Sequence, residues 1–203
     1  EYVATRLGYK PENDTAVFQS TYLGNFRFDG DVATLPSEWD WSSASIEVVT
    51  PVKDQGSCGS CWSFSATGIL EGAVAVGDGW TVPMSEQQLM DCDSDSSGCG
   101  GGNHCGALDW EKKQNVCSEA SYPYKGKDGS CQSSGCDVVL TLGSIWGKYS
   151  VDEDEGSHCA AVIQRPLGVS IDASSDDFSH YKGGIFSGSC TTSTDHAILM
   201  VGY

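Results

Sequence analysis

Ten cysteines among 203 residues are the strongest constraint on this chain. Each must end as a disulfide, a metal ligand, a redox group or a free thiol, and the compartment decides which. In an oxidising compartment most of them would be bridged; in the cytosol they would be ligands or redox groups. Ten is too many for chance and too few for a small scaffold held together by bridges alone, so a hydrophobic core must carry the fold. A hydrophobic content of 39% is ordinary for a globular chain and excludes global disorder and a collagen-like repeat. No apolar run approaches the roughly 18 residues that a membrane span requires. An Asn-Asp-Thr sequon at Asn13 leans toward secretion. The chain opens Glu-Tyr-Val, with neither an initiator Met nor an apolar leader, which reads as a fragment or a processed product.

Charge removes another class of partner. Eleven Lys and Arg stand against 28 Asp and Glu, a formal charge of −17. Binding to phosphate backbones or anionic membrane surfaces depends on clustered cations. Nucleic acid and membrane are therefore excluded as partners.

Helix signals cluster early and strand signals late, which indicates an α+β chain. Residues 1–34 are polar and without sustained periodicity, an extended or loop-rich lead-in. A short β-favouring stretch at 48–52 precedes the turn-forming Lys53-Asp-Gln-Gly-Ser-Cys58. From 60 to 76, Phe64, Ala66, Ile69, Leu70, Ala73 and Val74 recur near the helical period. Gly68 and Gly72 lie within that run and cost about 1 kcal/mol each in propensity, so a close-packed neighbour is expected and the helix should be buried. A second helix is expected from Met84 onward, a Gly- and Cys-rich loop over 94–102, and a third helix over 105–114. Strands are expected at 138–142, 167–171 and 197–201, and a helix at 155–164. The acidic run 152–155 suits that helix's positive N-terminus, and a solvated loop fits it equally well.

The densest chemistry lies in Gln55-Gly-Ser-Cys58-Gly-Ser-Cys61-Trp62. Cys61 enters the long helix, where unpaired N–H groups and the positive helix end stabilise a thiolate, the attacking species. Gln55 can give a side-chain N–H to a developing oxyanion beside the backbone N–H of Cys61. A nucleophilic Cys needs a base, and His196 opens an apolar strand that could aim its ring. Asp195 should face the opposite side of that strand, tuning the local field without acting as the third catalytic group. Other readings exist for each part. Cys58 and Cys61 could be a thioredoxin-like dithiol, but such motifs carry the Trp before the first Cys. A zinc site could recruit Cys92, Cys99, His104 and Cys105, yet these lack a second close Cys pair.

These residues resemble the papain and cathepsin family of cysteine proteases, whose signature is Cys-Gly-Ser-Cys-Trp followed far downstream by a His. Further likeness lies in Leu35-Pro-Ser-Glu-Trp-Asp-Trp41, Pro51-Val-Lys-Asp-Gln-Gly56, Met84-Ser-Glu-Gln-Gln-Leu-Met-Asp-Cys92, Gly98-Cys-Gly-Gly-Gly102, Tyr122-Pro-Tyr124, Gly183-Gly-Ile-Phe186 and Asp195-His-Ala197. The resemblance implies an α+β fold of two lobes. Residues 35–147 would form a helical lobe carrying the nucleophile, and 148–203 a β-barrel-like lobe carrying the His, after a prosegment tail over 1–34. It implies a cysteine endopeptidase with Cys61, His196 and Gln55 as catalytic residues, needing no cofactor or metal. Protein or peptide substrates, protein inhibitors as partners, a monomer, and a secreted or lysosomal/vacuolar location follow from the same likeness.

The resemblance further pairs Cys58 with Cys99 and Cys92 with Cys131, leaves Cys61 free, and places the partner of Cys190 beyond Tyr203. A Cys105–Cys117 bridge would span a helix about 15 Å long, whereas bridged Cα atoms lie within about 7 Å. Pairing of either with Cys136 or Cys159 stays open. Gly101 and Gly102 match the family's edge for extended substrate backbone. His104, Ser170 and Ala197 match the walls of its selectivity pocket, and the first two are more polar than is common there. The short span from Cys92 to Cys131 leaves little room for an occluding loop of the exopeptidase kind. The family's Asn-Ser-Trp-Gly motif, with its His-orienting Asn, falls past Tyr203. The rival reading is an inactive relative acting as a secreted binding protein.

Overall fold

A computed structural model of the chain describes residues 6–11 and 22–203; the sequon at Asn13 lies outside the described residues. The central element is α1, Cys61–Asp78. It ends at Gly79, whose φ of 75° places it in the left-handed region while its N–H caps Ala75 O, the role that glycine commonly takes at helix C-termini. Cys61, Trp62, Ala66, Leu70, Val74 and Ala75 are buried, and so are Ser63, Ser65, Thr67 and Glu71 on its other faces. The two glycines inside the helix have the packing reason that the sequence requires. A Cβ on Gly68 would stand 3.1 Å from Leu199, and one on Gly72 2.8 Å from the Pro166 ring.

Around α1 stand short helices with side-chain caps. α2, Glu86–Cys92, starts at Ser85, whose hydroxyl accepts from the Gln88 N–H. α3, His104–Glu111, starts at Asn103, whose Oδ1 accepts from the N–H groups of Cys105 and Gly106. It therefore begins one residue before the expected start and ends three residues before the expected end. α4, Glu155–Val162, is capped by the Asp154 carboxylate accepting from the Ser157 N–H. The acidic run thus supplies a helix cap rather than a solvated loop. A further short helix, α5, Asp176–Ser179, follows Ser175.

Among the described residues the strands form three pairs. β1, Tyr22–Phe26, runs parallel to β4, Lys148–Val151, so the lead-in holds a strand that its polar sequence does not signal. β2, Val116–Cys117, is antiparallel to β3, Val138–Leu140. β5, Leu167–Ile171, is antiparallel to β6, His196–Met200, in a register that sets Ile171 opposite His196 and Ser170 opposite Ala197. The β-favouring stretch at 48–52 is not a strand. Pro51 has no N–H to give to a ladder, Val52 is exposed, and the Thr50 hydroxyl donates to the Glu71 carboxylate. Residues 39–41 cross to 201–203 through Trp39 N–H to Tyr203 O and Trp41 N–H to Val201 O.

Three disulfides fasten the helical part: Cys58–Cys99, Cys92–Cys131 and Cys117–Cys136. The first two match the family pairing. The third resolves the open alternatives, since Cys136 takes Cys117 and Cys159 keeps a buried thiol. Cys61 and Cys190 also carry free thiols.

Between α1, α2 and α3 lies an acidic interior. Lys53 Nζ donates to Glu71 Oε1 at 2.7 Å and to Glu86 Oε1 at 2.6 Å. Burial lowers the Lys53 pKa, but Glu86 and Glu71 more than offset it and hold the ammonium charged. Glu71 also accepts from Thr50 and from the Met84 N–H, and Glu86 from Thr67. Glu111, on α3, is 1% exposed and neither of its oxygens has a hydrogen-bond partner among the described residues. Burial, then the neighbouring Glu86, Asp93 and Glu71, pushes its carboxyl well above the ordinary range. Burial likewise pushes Glu86 up to about 7 against the pull of Lys53.

This packing has two consequences for stability. Gly77, near the exposed end of α1, has open space where a Cβ would sit. Gly77→Ala should raise stability by about 0.5–1 kcal/mol, whereas Gly72→Ala should lower it by about 1–3 kcal/mol because the Pro166 ring cannot yield cheaply; urea unfolding reads both. The second consequence concerns pH. Glu111 binds a proton in the folded chain and releases it on unfolding, so stability falls as pH rises above the unfolded carboxyl value of about 4.3. His104 and His196, lowered by burial, act in the opposite sense, but only below about pH 6.5. Through the neutral range the unfolding midpoint should therefore drop as pH rises. Glu111→Gln should flatten that slope; an unchanged slope in the variant would refute the assignment.

Candidate active site

Cys61 is the first residue of α1 and is buried, with Ser60 before it and Trp62 after it. The Trp62 indole N–H donates to Gly98 O at 3.1 Å, which locks the helix start against the loop that carries Gly101 and Gly102. The backbone N–H groups of Ala197, Gly8 and Trp62 lie near enough to the Cys61 sulfur to pull its pKa down. Ala197 follows His196 at the start of β6, so the cysteine and the start of the His-bearing strand, from distant parts of the sequence, lie in one region.

Gln55 sits in the turn before Cys58, half-buried. Its Nε2 donates to Cys58 O at 2.8 Å and to Arg6 O at 2.9 Å. The second bond comes from the chain's own N-terminal segment, and that segment organises the rest of the site. The Gly102 N–H donates to Gly8 O at 2.8 Å, and the Lys10 N–H to Gly102 O at 2.8 Å, forming a parallel bridge centred on Tyr9. The Tyr9 N–H donates to Asp195 O at 3.2 Å. Asn103 Nδ2 donates to Lys10 O, and Lys10 Nζ to the Ser97 hydroxyl. A Cβ on Gly8 would fall 1.8 Å from Gly59 O, so only glycine fits where the segment crosses in front of Cys61. A Cβ on Gly102 would stand 2.6 Å from the Trp62 ring, which fixes the edge tightly against α1.

Of the sequence-predicted pocket residues, His104 lies against Tyr9. The two rings stack with centroids 5.5 Å apart and planes at 30°. His104 is buried; Nδ1 lies 3.4 Å from the Ser65 hydroxyl, which donates to Ile198 O on β6. Burial, aided by the charge of Lys148, lowers the His104 pKa to about 4, which favours the neutral ring. Ser170 and Ala197 face each other across β5 and β6. The Asp195 carboxylate accepts from the Ala173 N–H, which ties down the chain after β5. Burial lowers the His196 pKa, and the charge of Asp195 opposes that effect.

Electrostatics here differ from the sequence expectation of a thiolate favoured by the helix end. Burial is the largest effect on Cys61 and pushes its thiol up, with the three N–H groups pulling the other way. The His196 pKa is lowered overall, and its Nδ1 has no hydrogen-bond partner among the described residues. Both shifts favour the uncharged forms, a thiol at Cys61 and an imidazole at His196. Desolvation by burial outweighs the helix end.

The rival constellations do not assemble. Cys58 is bonded to Cys99, so a Cys58–Cys61 dithiol does not form, and Cys92 and Cys99 are committed to separate bridges. Tyr9, Asn103 and Ser65 join the site without having been expected from sequence. Only Asn103 carries a local signal, as a capping residue immediately before a helix.

A sequence model described as "Papain family cysteine protease" matches residues 35–203. The senescence-specific cysteine protease of Arabidopsis thaliana is 37% identical over 206 residues, covering 100% of this chain and 58% of its own length. Caricain of Carica papaya is 39% identical over 190 residues, covering 93% of this chain and 53% of its own length. The chain thus spans about half the length of the curated relatives it matches. Among solved structures, a Carica candamarcensis cysteine protease in complex with E-64 superposes with a TM-score of 0.73 at 34% identity, over 83% of this chain and 78% of that one. Digestive procathepsin L 3 of the Tenebrio molitor larval midgut gives 0.78 at 34% identity, over 100% of this chain and 63% of that one. A family match over residues 35–203 places this chain in the papain family of cysteine proteases.

Proposed function

We propose that the protein is a cysteine endopeptidase whose cleft is occupied, in this form, by its own N-terminal segment. The Cys61 thiolate attacks the scissile carbonyl carbon, and the carbonyl oxygen becomes an oxyanion. His196 takes the thiol proton and delivers it to the leaving amine. Water then attacks the acyl-enzyme, and the thiol is regenerated. Gln55 Nε2 and the Cys61 N–H hold the oxyanion. Gly101 and Gly102 border the extended substrate backbone, while His104, Ser170 and Ala197 line the pocket beside it. Asp195 acts on His196 through its field alone. The lobes divide near 147, with 1–34 as the covering prosegment.

The observation that carries this reading is the path of residues 6–11. They bond to Gln55, Gly102 and Asp195, stack on His104 and cross in front of Cys61, engaging most of the residues that would handle a substrate. A peptide bound backbone-to-backbone along that edge is what a protease substrate would be. The protein substrates themselves, inhibition by other proteins, the monomeric state, and a secreted or lysosomal/vacuolar location belong to the same proposal. No described helix is long and apolar enough to cross a membrane.

Alkylation by an epoxide inhibitor such as E-64, followed by peptide mapping, tests the reading. Label should fall on Cys61 alone among the free thiols and be lost in His196→Ala. Cutting the chain after residue 34 should speed labelling by an order of magnitude or more, because water and inhibitor then reach the sulfur. Gly8→Leu in the uncut chain should speed it as well, since a side chain cannot fit against Gly59 O. A folded, cut protein that leaves Cys61 unlabelled would refute the proposal. With a peptide substrate, Gln55→Ala should lower kcat by about 10²–10³ with little change in KM.

A further inference from the structure

The two proposed oxyanion donors come from different pieces of backbone. One is the side chain of Gln55, in a turn; the other is the N–H of Cys61, at the first position of α1. Donors of this kind work only when both lie about 2.7–3.1 Å from a single point. Between them run Gly56, with φ of 63°, and Gly59, neither of which restrains the spacing by itself. The Cys58–Cys99 bridge fixes the middle of the connection but not its ends.

Both ends are gripped by one side chain. The Tyr124 hydroxyl lies 2.7 Å from Gln55 O and 2.6 Å from the Ser60 hydroxyl. Proton accounting gives the chain a direction. Tyr124 has one hydroxyl proton and a carbonyl can only accept, so Tyr124 donates to Gln55 O and Ser60 donates to Tyr124. Ser60 is fully buried and immediately precedes Cys61. The tyrosine is itself held: its ring meets the Phe64 ring of α1 edge-on at 4.8 Å, and its N–H donates to Glu119 Oε1. Gln55 Nε2 meanwhile rests on Cys58 O, so the side-chain amide is aimed relative to the same turn that Tyr124 holds by its carbonyl.

We propose that Tyr124 is a positioning residue for the reaction, its hydroxyl setting the distance between the Gln55 turn and the start of α1 and thereby the geometry of the two oxyanion donors. It does not touch the reacting atoms. The inference rests on the endopeptidase reading and deepens it. A misplacement of about 1 Å at such a site costs up to about 100-fold in rate, and the loss falls on the step in which the oxyanion forms rather than on substrate binding.

Tyr124→Phe keeps the ring and its contact with Phe64 while removing the hydroxyl. In the full chain cut after residue 34, with active sites counted by epoxide titration, kcat per titrated site should fall about 10- to 100-fold with KM within about twofold of the parent. Binding of a peptide aldehyde, which forms a tetrahedral oxyanion-like adduct on the cysteine, should weaken by a similar factor. Tyr124→Phe combined with Gln55→Ala should be little worse than Gln55→Ala alone, because Tyr124 acts chiefly by placing the donor that Gln55→Ala already removes. Ser60→Ala removes the other end of the hydroxyl chain and should lower kcat in the same way, keeping the proposal testable if Tyr124→Phe does not fold. A merely structural tyrosine would lower the unfolding midpoint and leave kcat per titrated site unchanged. That result, or additive losses with Gln55→Ala, overturns the proposal while leaving the endopeptidase reading intact. A cut parent chain that neither labels nor hydrolyses peptide overturns both.

Discussion

Helix α1 is packed on α2 and α3 along one flank and on β5 and β6 along the other, and every group at the cleft is positioned by reference to it. Its first residue is Cys61. Its glycines let Leu199 and Pro166 come close enough that β6, carrying His196, lies along its surface. An alanine at either position would put a methyl group where those neighbours now sit, and the His-bearing strand would stand further from the thiol. Two residues of poor helix propensity inside the most buried helix thus reflect a tertiary requirement: close approach outweighs about 1 kcal/mol of local preference.

A second consequence of that burial is electrostatic. Burial of Cys61 and His196 favours their neutral forms, which is the opposite of what an isolated helix end does to a thiol. The segment 6–11 uses up the Gln55 amide and the Gly102 edge. Backbone carbonyls of that segment thus occupy the Gln55 amide and the Gly102 N–H, while Cys61 is desolvated by burial.

Much of the site is legible from sequence because its pieces are local. The Gln55-to-Trp62 run is one turn and one helix start, and the periodicity after it announces a buried helix. Ser85, Asn103 and Asp154 stand where capping residues belong, although periodicity alone starts α3 one residue late. Other features are not legible because they depend on partners far along the chain. β1 pairs with β4 across more than a hundred residues of sequence, and nothing in Tyr-Leu-Gly-Asn-Phe signals that partner. The 48–52 stretch has β-forming composition, yet Pro51 and a side-chain bond to Glu71 hold it out of any sheet. Glu111 looks like an ordinary exposed helix residue beside Lys112 and Lys113 until α1 and α2 close over it.

By itself the sequence determined the ingredients: a cysteine at a helix start, a glutamine before it, a histidine opening a distant strand, and a net charge of −17. Those are covalent and short-range facts, fixed by residue identity and spacing. Tertiary structure alone decided which thiols are bridged, because bridging needs two Cα atoms within about 7 Å, and Cys117 meets Cys136 only after β2 pairs with β3. It also decided that the Cys61 thiol is buried and pushed toward its neutral form, since burial depends on which distant segments the fold packs around a residue.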